Sequence, residues 1–326
     1  MKILITGSAG HLGEALVRTL QNEHDVVGLD LVHSPWTTVV GTITDRATVE
    51  RCMKGVEVVL HTATLHKPHV ATHTRQQFVD TNISGTLNLL EAAVANGVRS
   101  FIFTSTTSTF GRALTPAPGE PAAWITEAGS PVPKNIYGTS KTAAEDLCEL
   151  FHQDYGLACL VLRTARFFPE ADDNRAVRQT YGDDNMKVNE YLYRRVDIED
   201  VVAAHLCAMK HAPVLGFGRY IISATTPFTP DDLSELRSDA PSVVKRLFPA
   251  FAAQYARRNW QMFPSIDRVY VNEKARLDLD WQPRYNFDYI LNQLQTGHPF
   301  RSALAATVGA KGYHAGEFAD GLYPIA

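Results

Sequence analysis

The chain has 326 residues, 45% of them hydrophobic, and a formal net charge of −4. That length buries a large core and suits two lobes, and a mildly acidic balance without a basic tract argues against a nucleic-acid or anionic-membrane partner. No apolar run reaches the length of a membrane span, nothing frames the first strand as a signal peptide, and Cys52, Cys148, Cys159 and Cys207 lack CxxC spacing; the expected setting is cytoplasmic, with reduced thiols.

Residues 2–6, KILIT, are a short apolar run suited to a buried strand, and residues 12–21 place Leu12, Leu16, Val17 and Leu20 on one helical face. Between them, Gly7, Gly10 and Gly13 make a G-x-x-G-x-x-G pattern. Lacking Cβ atoms, they let the chain turn sharply and lie close to a bulky group. The helix that follows, opening at His11 and Leu12, aims N–H groups and a positive dipole end at that group, which suits a pyrophosphate. The spacing thus predicts dinucleotide binding.

Further strands are predicted at 25–30, 56–62, 100–105 and 158–164, and helices at 46–53, 75–96 and 137–155. This alternation predicts an α/β fold, a doubly wound parallel sheet with helices on both faces, and ligands at the carboxyl ends of its strands. Asp30 ends the second strand, where a carboxylate takes both ribose hydroxyls of adenosine and repels a 2′-phosphate, so NAD is expected over NADP. Thr42 and Ile43 are placed beside the same cofactor. Thr62 and Ala63, in LHTAT, end a buried strand with small side chains that let backbone approach it. Asn82 either meets the cofactor region and braces the active-site loop or only satisfies nearby backbone.

Tyr137 and Lys141, in NIYGTSK, are four residues apart and share one helix face. A lysine cation beside a phenol lowers its pKa, and the phenolate can exchange a proton with a hydroxyl or carbonyl while hydride moves to or from nicotinamide. The strand end FIFTSTTSTFG supplies a hydroxyl to bridge substrate and Tyr137. Later come a helix at 198–211, which Asp200 is expected to cap, a strand at 218–224, and a mostly helical stretch at 227–282. His61, His66, His69 and His73 crowd one predicted loop without an acidic or Cys ligand, so no metal is expected; His66, Lys67 or His69 is expected against the substrate. Tyr313, His314, Phe318 and Tyr323 either cover the pocket or meet a second subunit, with packing as the default.

These residues, with RRVDIEDVV (194–202) and RVYVNEKARLDLDWQPRYNF near the end, resemble the extended short-chain dehydrogenases/reductases, the nucleotide-sugar epimerase and dehydratase group. The resemblance implies a Rossmann domain at 1–165, rejoined by 194–226, and a smaller, mostly helical substrate lobe and tail at 166–193 and 227–326. It implies a catalytic Thr106, Tyr137 and Lys141, with Ser105 and Thr107 close enough for a one-residue slip. It puts Arg268 on the substrate diphosphate. Arg194 and Arg195 either meet the substrate or pair with Asp197 or Asp200. Thr42 replaces the usual adenine-binding Asp, and RTARFFPE brings Arg166, a partner for phosphate or carboxylate. Thr107 and Ser108 stand where the dehydratases carry Asp and Glu, which disfavours dehydration and leaves Thr107 as a substrate contact. The expected activity is an NAD-dependent sugar-nucleotide 4-epimerase. The alternative is a dehydrogenase or ketoreductase on a smaller sugar or carbonyl substrate. The resemblance also implies a homodimer built on the helices at 75–96 and 137–155.

Overall fold

The structure is a computed structural model that describes residues 1–172 and 174–312. Seven parallel strands form the main sheet: β1 (Lys2–Thr6), β2 (Asp25–Asp30), β3 (Val39–Val40), β4 (Val58–His61), β5 (Ser100–Thr106), β7 (Cys159–Thr164) and β8 (Phe217–Ile222), in the order β3-β2-β1-β4-β5-β7-β8. A parallel sheet covered on both faces needs strands that are apolar throughout, and ILI of β1, VVL of β4 and CLVL of β7 are fully buried. The order reverses between β1 and β4, which opens the crevice of a Rossmann fold at their carboxyl ends.

The predicted helix at 75–96 is broken. It runs as Arg75–Phe78, a π-helical turn at Val79–Ser84, and Gly85–Ala95. Such turns recur at functional sites, and this one carries Asn82. The helix Ile198–Leu215 is capped by Asp197, whose side chain accepts from Glu199 N, and not by Asp200. The Asp200 carboxylate accepts from Arg284 N at 2.8 Å and Tyr285 N at 2.9 Å, stapling a distant loop to this helix.

A second core gathers Met186, Tyr193, Phe228, Val269, Phe287 and Phe300 beside the sheet. Two short strands join it: β6 (Ala123–Ile125) pairs in parallel with β9 (Arg268–Tyr270), inside the stretch expected to be helical. The lobes interleave more than a cut at 227 implies. Leu279, Trp281 and Val308 are buried in the first core, and the helix Ala303–Val308 packs against His11–Leu20 and Ile198–Leu215.

One charge lies deep under the sheet's working edge. Arg163, next to the carboxyl end of β7, is 2% exposed and donates Nη2 to Glu145 Oε2 at 2.7 Å. Removing one partner of a buried pair strands the other charge. Glu145→Ala is therefore expected to lower stability by about 3–5 kcal/mol in urea unfolding, and Arg163→Met added to it to recover most of that loss.

Candidate active site

Two clefts open at the carboxyl ends of the strands and meet at Tyr137, which lines both. The larger encloses about 710 Å³. β1 runs into Gly7, whose φ of +72° is left-handed and whose missing Cβ would stand 2.8 Å from Ala63 N. A Cβ on Gly13 would lie 1.9 Å from Gly7 O, so the helix start packs directly on the turn. The helix His11–Leu20 has no side-chain cap at Gly10, which leaves its opening turn as an anion site.

Asp30 ends β2 and ties the turn down, accepting from Ala9 N and Val32 N at 2.9 Å each. Thr62 Oγ1 donates to Thr6 O at 2.7 Å, and Ala63 N to Thr6 Oγ1 at 3.2 Å. Gly10, Leu12, Thr42 and Ile43 line the same cleft. His11 does too, with its ring Nε2 held 2.8 Å from Glu170 Oε1. The glycine turn, uncapped helix end and Asp30 carboxylate fit a dinucleotide: the first two suit a pyrophosphate and the third a ribose.

Asn82 is a brace, not a cofactor contact. It is 2% exposed, accepts from Leu65 N at 2.8 Å and Thr64 Oγ1 at 3.0 Å, and donates to Leu65 O at 2.8 Å and Ser140 Oγ at 2.9 Å. The π-helical turn aims its amide at the loop after β4 and leaves none of it for a ligand.

At the meeting point, Tyr137 is 8% exposed and lines the cleft beside Thr106, at the end of β5. Ser105 instead donates its Oγ to Glu145 at 2.5 Å, and Thr107 lines the cleft wall beyond. Lys141 is 1% exposed, donates Nζ to Thr104 O at 2.6 Å and sits 3.9 Å from the Phe103 ring centre. It lies under the clefts and lines neither. The expected lowering of the phenol pKa is not what this arrangement gives. Burial pushes Tyr137 up to about 12 against the opposing effect of the Thr106 hydroxyl, and brings Lys141 down to about 7 despite Glu145. Desolvation of each group outweighs its partners.

The smaller cleft, about 280 Å³, is the cationic one. Thr106, Thr107 and Tyr137 face Arg166, Arg194 and Arg268 across it, with Lys67 and Lys134 at its border. Glu170 is the only carboxylate among the described residues that line it. Behind the arginines lies Glu190, fully buried at the end of the helix Asp183–Glu190. Its oxygens lie 2.7 Å from Arg194 Nη2, 2.7 Å from Arg195 Nε and 3.2 Å from Arg166 Nη1. Burial works against its charge, yet the three guanidinium groups hold its carboxyl down to about 2. Glu190, not Asp197 or Asp200, is thus the partner of Arg194 and Arg195.

Arg195 is misassigned as a substrate contact. It is 3% exposed, its Nε and Nη1 are taken by Glu190 and Phe168 O, and its neighbour Arg194 lines the cleft instead. The i,i+4 spacing of Glu190 and Arg194 is the sequence signal that was there to be used. Arg268 is carried in by β9 and donates Nη1 to Leu114 O at 3.1 Å, while its buried Nε meets no hydrogen-bond acceptor among the described residues. The Arg194 Nε stands likewise.

Of the histidines, His61 is sealed in β4 between Thr6 and Thr86, and burial lowers its pKa well below the usual value. His66, His69 and His73 stack edge to face, with ring centres 4.8 and 5.0 Å apart, along the larger cleft. Tyr313, His314, Phe318 and Tyr323 lie outside the described residues.

The family model for the NAD dependent epimerase/dehydratase family matches residues 3–221. An uncharacterised UDP-glucose epimerase of Bacillus subtilis is 28% identical over 50% of this chain and 55% of its own length. A uronate dehydrogenase of Pseudomonas putida is 27% identical over 53% of this chain and 64% of its own. The chain thus spans little more than half the length of the first of these relatives and under two thirds of the second. The UDP-glucose 4-epimerase of Thermotoga maritima, solved with UDP-glucose, superposes with a TM-score of 0.61 at 25% identity, covering 87% of this chain and 94% of that one. Sheet order, cleft and matched length agree: the chain belongs to the NAD-dependent epimerase/dehydratase family, as an NAD-dependent enzyme of the extended short-chain dehydrogenase/reductase type.

Proposed function

We propose that the protein is a nucleotide-sugar 4-epimerase, and that Thr106, Tyr137 and Lys141 are its catalytic residues. One observation carries this reading: the Tyr137–Thr106 pair stands where a glycine-lined dinucleotide cleft meets a cleft walled by arginines. The cationic wall suits a substrate that bears a diphosphate. NAD supplies a hydride acceptor that can return the hydride to the other face of the sugar, and a cationic ring.

The chain's own residues handle the proton and the pose. The Tyr137 oxygen exchanges the proton of the sugar hydroxyl. Thr106 holds that phenol in place. Lys141 is fixed on Thr104 O, and its protonated form, which burial disfavours, favours the phenolate. Arg194 and Arg268 take the diphosphate oxygens; the Arg194 Nε has no hydrogen-bond acceptor among the described residues, and the Arg268 Nε has only Asp267 Oδ1 at 3.5 Å. Thr107 and Arg166 line the sugar end.

A second reading is net oxidation of a carboxylated sugar. It is favoured by Arg166 in the cleft and by the uronate dehydrogenase among the relatives. We further propose a cytoplasmic homodimer. Four free cysteines support the first, and Leu150 and Tyr155, exposed on the helix Ile136–Tyr155, support the second.

Purified protein incubated with UDP-hexoses and no added cofactor is expected to equilibrate the 4-epimers. Tyr137→Phe should slow this by roughly 10²–10⁴. NADH accumulating only when NAD is added, with no epimer formed, would reject epimerisation in favour of the second reading.

A further inference from the structure

The larger cleft has a wall that the glycine motif does not predict. After the helix Ala303–Val308, the chain crosses to the start of the first helix, and Lys311 and Gly312 become lining residues of the same cleft as Gly7, Gly10 and Asp30. The crossing is pinned at both ends. Ser302 N donates to Asp197 Oδ2 at 3.0 Å, and Val308 is buried in the first core. Lys311 N and Gly312 N donate to Glu170 Oε1 at 2.9 and 3.4 Å, on the same oxygen that meets His11.

The charge at the end of this strap is placed for an anion. Lys311 is the only lysine or arginine among the described residues that line the cleft. Its Nζ pairs with Glu14 Oε2, in the first turn of the helix His11–Leu20. Glu14 Oε1 is held independently by Arg18 Nε at 2.7 Å. The ammonium can therefore turn toward a second anion at that helix end while buried Glu14 keeps a partner. A glycine turn offers only dipoles to a pyrophosphate. Lys311 adds a full charge.

We propose that the segment through Gly312 is a cofactor strap, and that Lys311 is a pyrophosphate-binding residue of the NAD site. The proposal rests on the assignment of NAD to this cleft. It also gives the cofactor a covering held by the chain's own hydrogen bonds, which a cofactor recycled in place requires.

The test uses the full chain stripped of nucleotide, titrated calorimetrically with NAD, ADP-ribose and adenosine. Lys311→Ala is expected to weaken NAD and ADP-ribose about tenfold, the scale of one charge-assisted contact. It should leave adenosine unchanged, and Lys311→Arg should recover the loss. Unchanged affinity for all three ligands would overturn the proposal. So would equal weakening of adenosine, because the strap would then only be ordering the cleft. Wild-type chain that binds none of the three would overturn the NAD assignment and this proposal with it.

Discussion

The site depends on how one helix is locked to the end of one strand. Tyr137, Lys141 and Glu145 stand four residues apart on one face of Ile136–Tyr155. They meet the last three residues of β5: Lys141 donates to Thr104 O, Glu145 accepts from Ser105 Oγ, and Tyr137 lines one cleft with Thr106. Glu145 is itself fixed by Arg163 on β7 and by Arg219 Nε at 3.3 Å on β8. The helix that carries Tyr137 is therefore registered against three strands of the sheet. A shift of the helix by one residue would break these ties together, because helix and strand periods differ.

That lock fixes where two electrostatic environments meet. One is nearly free of full charge, built from a glycine turn, a helix end and Asp30. The other is crowded with guanidinium groups. Crowding like charges is costly unless counter-charges lie among them, and Glu190 and Asp172 supply them: Glu190 meets Arg166, Arg194 and Arg195, and Asp172 pairs with Arg166. Two carboxylates leave one of these three guanidinium charges unmatched. Arg166 and Arg194 line the cleft together with Arg268, a wall that suits an anionic ligand.

Much of this was legible in the residues because it is local. A strand, a glycine turn and a helix at fixed spacing gave the sheet's first unit, and Tyr137 with Lys141 needed only a helix. The hydroxyl was left among Ser105, Thr106 and Thr107 because alternation along a strand does not say which side chain the neighbouring helix will reach. Other features depend on contacts far apart in the chain. Asp200 looked like a cap and is a staple to residues 284–285. Arg195 looked like a ligand and is a buried strut, because the bend after Glu190 turns Arg194 outward instead. The pKa order at Tyr137 and Lys141 reversed for a related reason: spacing gives proximity, but burial decides which ionisation is affordable. Lys311 carried no local signal at all, since it lies 297 residues from the glutamate it pairs with.

A nucleotide-sugar epimerase, as proposed, keeps and recycles its cofactor and does not exchange it at each turnover. The most direct measurement is to denature the purified protein and quantify the nucleotide released. The account predicts near-stoichiometric NAD. Protein that purifies empty, yet turns over fully once NAD is supplied, would contradict it and mark the enzyme as a dehydrogenase with an exchangeable cofactor.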